Sequence, residues 1–214
     1  TRLICYNPVM PKKLLALFLL IIFSNSLALA AKIIPLPPPN TTSQFALEEA
    51  IAKRRSVWEF LEKPLTANQL GQILWAAQGI TDMGYGFRAA PSAGSLYPLS
   101  IYVAKVDGLF RYIPDGHKLV QLSDQDIRPA MTRAALGQNN ISTAPVDIII
   151  AGNFAITQAK FGARAFRYVC METGHVAENI ALQAVALGLG SVTIGSFWDD
   201  VIRPKLKFSA VGFG

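Results

Sequence analysis

The sequence predicts an α+β domain in which strands and helices are grouped rather than alternating. Three observations carry that prediction. Two amphipathic helical stretches come early, three short β-rich runs follow one another with tight turns between them, and there is neither a regular βαβ alternation nor an internal repeat. A doubly wound dinucleotide domain is disfavoured on the same ground. Of the 214 residues, 51% are hydrophobic and 16% charged, enough apolar chain for one sizeable core and too little charge for a disordered protein. Two cysteines are too few for a disulfide scaffold or a four-ligand zinc site, so no metal is expected.

Read in order, Met10, Lys12 and Lys13 precede the apolar run 14–23, and Ala28 and Ala30 follow at the spacing signal peptidase needs. Residues 10–30 are therefore expected to be a signal peptide cleaved after Ala30, with the body exported to a periplasm or the extracellular space. An uncleaved membrane anchor is the rival reading, because Leu27 and Leu29 lengthen the apolar stretch. Residues 1–9 lie ahead of Met10 and read as translated upstream sequence. The formal charge of +6 is largely a property of this leader. Arg2, Lys12 and Lys13 are three of the 20 basic groups, leaving 17 against 14 acidic ones, so no nucleic-acid partner is called for. Pro35, Pro37, Pro38 and Pro39 make residues 31–42 an expected extended spacer, unable to join a sheet centre. One folded domain is expected over residues 43–214.

Within it, Ser43 is expected to cap a helix reaching Arg55, with Leu47, Ala50, Ile51 and Arg54 on one face. Thr66 and Gln69 form a capping box, after which Leu70, Ile73, Leu74 and Ala77 follow helical spacing up to Gly79. The runs 101–106, 109–112 and 118–122 read as a β meander, turned by Asp107 and Gly108 and then by Pro114, Asp115 and Gly116. A helix near 126–136, a buried strand 146–151, a long helix 164–187 and a strand 191–194 complete the reading.

Arg54, Arg55 and Ser56 offer two guanidinium forks and a hydroxyl at one helix end, which suits a phosphate ester; the bland alternative is a solvated basic end. The small residues from Arg88 to Pro98 would let backbone amides approach a flat ligand. Gly188, Gly190 and Gly195 do not make a dinucleotide fingerprint, since a helix precedes them and a strand is expected after; Gly188 reads as a C-cap. His117 and His175 read as surface or helix-face histidines, and Glu172 and Asn179, two turns apart, as internal hydrogen-bonding groups.

Taken in order, Arg54-Arg55-Ser56, Leu74-Trp75-Ala76-Ala77-Gln78-Gly79-Ile80, Pro91-Ser92-Ala93-Gly94-Ser95-Leu96-Tyr97-Pro98 and Gly188-Leu189-Gly190-Ser191-Val192-Thr193-Ile194-Gly195 resemble the FMN-dependent nitroreductase-like family. The branch most similar is the SagB-type dehydrogenases, and the resemblance spans about residues 45–212. It implies a three-layer sandwich with a mixed, mainly antiparallel sheet and helices on both faces, a homodimer, and FMN at the subunit interface. The implied activity is two-step electron transfer from a reduced donor, usually NAD(P)H in the family, through FMN to a small electrophilic acceptor.

Arg54, Arg55 and Ser56 would hold the phosphate end of FMN. Pro91, Ser92, Ala93 and Gly94 would line the isoalloxazine edge, and Gly190, Ile194, Gly195 and Ser196 would bring backbone amides to it. Three departures stand out. Trp58 occupies the place of a basic residue near the flavin, with Arg88 as the candidate substitute. Lys160, the candidate catalytic residue, is followed by Phe161 where azoline dehydrogenases resembling this chain have tyrosine. The C-terminal segment is short. The alternative reading is a non-catalytic exported flavin-binding protein or a truncated, degenerate family member.

Overall fold

A computed structural model describes residues 32–206 of the chain; the leader assigned to residues 10–30 and the upstream residues 1–9 lie outside the described residues. A five-stranded antiparallel sheet forms the middle layer. Its strands are β1 (Ile33–Pro35), β4 (Leu99–Lys105), β5 (Gly108–Ile113), β6 (Lys118–Ser123) and β7 (Asp147–Gly152), ordered β1-β6-β5-β4-β7. The meander forms as the turn residues predict. A separate hairpin pairs β2 (Ile80–Asp82) with β3 (Phe87–Arg88).

The alternation along β4 assigns its two faces. Leu99, Ile101 and Val103 join Leu70, Leu74 and Ala77 of α2 (Ala67–Gln78) and Val169 and Val176 of α6 (Ala165–Ala186) in one core. Tyr102 and Ala104 turn the other way, toward Ala134 of α3 (Arg128–Ala134), Ile202 of α7 (Asp199–Ile202) and Leu206. Period-two side chains on a central strand thus bind a helical layer on each face. The remaining helices are α1 (Leu47–Lys53), α4 (Asn140–Thr143) and α5 (Phe154–Phe161). Among the described residues no helix is long and apolar enough to cross a membrane.

Local signals place α2 and α6 well. Thr66 accepts from the Gln69 amide while Gln69 accepts from the Thr66 amide, the expected reciprocal cap. Gly188 has φ +70°, its amide reaches Val185 and the Leu189 amide reaches Ala184, so the long helix ends on the left-handed cap predicted for that glycine.

Four expectations are corrected. The proline-rich spacer is part of the fold: Ile33, Ile34 and Pro35 pair antiparallel with Val120, Leu119 and Lys118 at the sheet edge, where a proline's missing donor can point away from the ladder. The first helix starts at Leu47 without a side-chain cap, because the Ser43 hydroxyl turns back to the Phe45 amide. Its Leu47 and Ile51 are exposed rather than buried, only Ala50 reaching the interior. No strand forms over 191–194; Ser191 makes one isolated parallel bridge to Ser56, and the rest of the segment borders open space instead of a partner strand. Finally β7, expected as a buried strand, is half-buried along its length, since it is the last strand of the sheet.

Candidate functional site

Two groups of polar residues are built from the four motifs. The first lies where α1 ends. The Arg54 amide closes the helix on Ala50, the chain turns extended, and Ser56 pairs with Ser191 while the Val57 amide donates to the Ser191 carbonyl at 3.0 Å. Gly190 permits this approach: a Cβ there would lie 2.9 Å from Cγ1 of Val57. Residues 54–57 and 190–191, far apart in sequence, are therefore edge to edge.

The side chains at this helix end divide. Arg55 folds back, its Nη1 donating to the carbonyls of Ala52 and Arg54, and so satisfies helix-terminal acceptors. Among the described residues Arg54 keeps only a long ion pair, Nε to Oε1 of Glu178 at 3.9 Å, with side chains 38% and 56% exposed. A pair of that kind contributes little and leaves the guanidinium able to take a bidentate anion. Of the three side chains, Arg55 is engaged by backbone carbonyls, while Arg54 and Ser56 stay accessible to an anion.

The second group is the loop between β3 and β4. Ser92 donates to Oε2 of Glu172 at 2.5 Å and accepts from the Tyr97 amide at 2.9 Å. Gln78, fully buried, faces Oε1 of Glu172 at 3.5 Å and accepts from Arg88 Nη1 at 2.9 Å. The Arg88 guanidinium also stacks on the Tyr97 ring, 4.5 Å from its centroid, and the Tyr97 hydroxyl accepts from the Arg88 amide. Burial raises the Glu172 carboxyl above its ordinary value, opposed by hydrogen bonds from Ser92 and Gln78. Desolvation likewise pulls Arg88 down, opposed by Tyr97 and Glu172.

This network fixes the backbone on either side of Pro91, Ala93 and Gly94. Arg88 faces inward and is part of the scaffold. Asn179 donates to the carbonyls of Ala76 and Ala89. Glu172 and Asn179 therefore do the internal bonding expected of them. Gln78 carries no role in the sequence reading; a glutamine at a helix end facing the core is the signal that points to it.

Lys160, in the last turn of α5, meets the same loop. A Cβ on Gly94 would stand 2.8 Å from Lys160 Nζ and 3.2 Å from the Phe161 ring, and Phe161 packs edge-on against Tyr168 with centroids 5.1 Å apart. Trp58 is 56% exposed and is not a core aromatic.

A cavity of about 950 Å³ adjoins the first group. Val57, Gly190, Ile194 and Gly195 line it together with Ile148 and Ile150 of β7, while Arg54, Ser56, the 91–94 loop and Lys160 do not. Ser196 lies just beyond, its carbonyl accepting from Gln138 Nε2 at 3.3 Å. His175 is exposed on α6 as expected. His117 is neither a surface nor a helix-face residue. It sits half-buried in the β5–β6 turn with Nδ1 2.8 Å from the Tyr112 hydroxyl, and burial lowers its pKa. No group of three or more His, Cys, Asp or Glu able to hold a metal occurs among the described residues.

Comparison with known proteins places this arrangement. The model of the nitroreductase family matches residues 51–209. A protein of Methanocaldococcus jannaschii with a provisional nitroreductase name is 46% identical over 170 residues, covering 77% of this chain and 85% of that protein. A solved structure from Ralstonia eutropha, also provisionally named a nitroreductase, is 30% identical with a TM-score of 0.76 and 83% of each chain covered. The E. coli microcin synthetase McbBCD complex, with truncated pro-MccB17 bound, aligns over 96% of this chain and 79% of the matched one at 18% identity and a TM-score of 0.63, a likeness of fold alone.

Proposed function

This chain belongs to the nitroreductase family, and from that premise we propose an FMN-dependent oxidoreductase that carries electrons from a reduced donor, such as NAD(P)H, to a small electrophilic acceptor. The observation that carries this reading is the pairing of Ser56 and Val57 with Ser191, which sets the phosphate-type donors beside the glycine-rich segment. The donor set fits FMN chemically: Arg54 offers a guanidinium fork paired, among the described residues, only with Glu178 at 3.9 Å, and Ser56 a hydroxyl. When bound, FMN supplies two-electron redox chemistry, which no side chain here provides. Arg54 and Ser56 would hold its phosphate, the amides near Ile194, Gly195 and Ser196 would serve the polar ring edge, and Ser92, bonded to Glu172, would keep the 91–94 loop in place for the ring.

The working unit is a homodimer. Leu47 and Ile51 of α1 are 61% and 58% exposed, and Phe166 and Met171 of α6 are 69% and 53% exposed. Apolar helix faces of this extent, beside both residue groups, support burial against a second copy. Assignment to the SagB-type branch rests on the order of the four motifs, and Phe161 in place of tyrosine beside Lys160 speaks against an azoline substrate. Export of the body stays a proposal resting on the leader sequence.

Purified protein should be yellow and bleach with dithionite. A lost charge-assisted phosphate contact costs about 1.5–3 kcal/mol, roughly tenfold to a hundredfold in affinity. Arg54→Ala and Ser56→Ala should therefore shed FMN on dialysis. A folded wild-type protein that takes up no FMN in a titration overturns the reading.

A further inference from the structure

The 22-residue helix α6 keeps one side out of the fold: Ala165, Val169, Glu172 and Val176 are buried, while Phe166, Arg167, Met171, Gly174, His175 and Glu178 are exposed. Along the middle of that side Arg167, Met171, Gly174 and Glu178 follow one another at steps of four, three and four residues, the spacing of a seam between two packed helices.

The seam is its own complement. Arg167 stands at one end and Glu178 at the other, about 16 Å apart along the axis, with Met171 and Gly174 equally far from the midpoint. A second α6 turned end for end about that midpoint sets Arg167 against Glu178 and Met171 against Gly174. Each contact then occurs twice, as a two-fold interface requires. Two such helices running in the same direction would instead oppose like charges.

Within one copy neither charge is neutralised at close range. Among the described residues Arg167 has no hydrogen bond or ion pair, and Glu178 has only the 3.9 Å contact with Arg54. Gly174 has no steric reason inside the copy either. A Cβ there would meet nothing within 4 Å, and glycine destabilises a helix interior relative to alanine. A neighbouring helix supplies the reason, since the missing side chain makes room for the flexible thioether of Met171.

We infer that a second copy of this chain packs antiparallel along this face of α6, in the register that sets Arg167 opposite Glu178 and Met171 opposite Gly174. This rests on the homodimer reading above and adds to it the helix, its direction and its register.

Sedimentation velocity over a concentration series measures dimer dissociation for wild type, Arg167→Glu, Glu178→Arg and the double variant carrying both changes. Both positions are exposed, so the core stays intact, and far-ultraviolet circular dichroism checks the helix content of each variant. A single reversal sets like charges together at two places and is expected to raise the dissociation constant about tenfold or more. The double variant restores opposite charges and should return to within about threefold of wild type. Gly174→Leu fills the seam and should weaken the dimer without lowering helix content.

A wild-type dimer whose dissociation constant the single reversals leave unchanged overturns the proposal. A folded double variant as weak as the weaker single one overturns it too, because residues 167 and 178 would then not face each other. A wild-type protein that stays monomeric at micromolar concentration instead defeats the homodimer reading itself, so the two failures are distinguishable.

Discussion

At Asp147 a carboxyl group opens β7 with Oδ2 buried and without a hydrogen bond. Burial pushes its pKa up to about 7 from 3.8, against the pull of Arg128, which is itself engaged by Asp126 through two hydrogen bonds. A folded-state pKa above the unfolded one means that the folded chain retains a proton the unfolded chain gives up. Stability should therefore fall as pH rises from about 3.8 to about 7, by at most ~1.4 kcal/mol per pH unit. Asp147→Asn should remove that slope and unfold at higher urea than wild type above pH 7, with no such gain at pH 4. Ser92 tests the other end of the core. Its hydroxyl serves Glu172 and the Tyr97 amide together, so Ser92→Ala should cost about 1–3 kcal/mol in chemical denaturation.

Among the elements, α2 carries the clearest local instruction. The reciprocal bonds of Thr66 and Gln69 fix its first turn, and Thr66→Ala should lower stability by about 1 kcal/mol, read as a shift in urea midpoint at constant slope. The strand expected at 191–194 shows where local instruction ends. Val192, Thr193 and Ile194 have strand-forming side chains, but a strand also needs a neighbour in register, and among the described residues only Ser56 supplies one bridge, to Ser191. The reverse holds for Ile33, Ile34 and Pro35. Proline-rich surroundings argued for a spacer, and the open edge of β6 made a strand.

At the scale of the whole molecule, the exposed apolar residues of α1 and α6 belong to one question, the oligomeric state. Phe166 stacks on Phe154 with ring centroids 5.8 Å apart, both exposed, a pairing that offers a broad apolar surface to a second copy. Phe166→Glu should convert a dimer to a monomer in sedimentation velocity and lower FMN retention. A wild-type protein that sediments as a monomer at micromolar concentration would count against the homodimer.

The sequence by itself determined the α+β class, the meander, the limits of α2 and α6 and, through four motifs in order, the family. Each of these depends on patterns within a few residues: side-chain alternation, a capping pair, a glycine where a helix must end. Tertiary structure alone decided which polar groups are taken up by protein partners and which stay accessible. Arg54, Arg55 and Arg88 look equivalent as guanidinium groups in the sequence, yet carbonyl oxygens take up Arg55, Gln78 and Tyr97 take up Arg88, and Arg54 is paired, among the described residues, only with the Glu178 carboxylate at 3.9 Å. Lys160 meets Gly94 only because α5 packs beside the loop. A charge acts through its partners, and chain folding brings those partners from distant parts of the sequence.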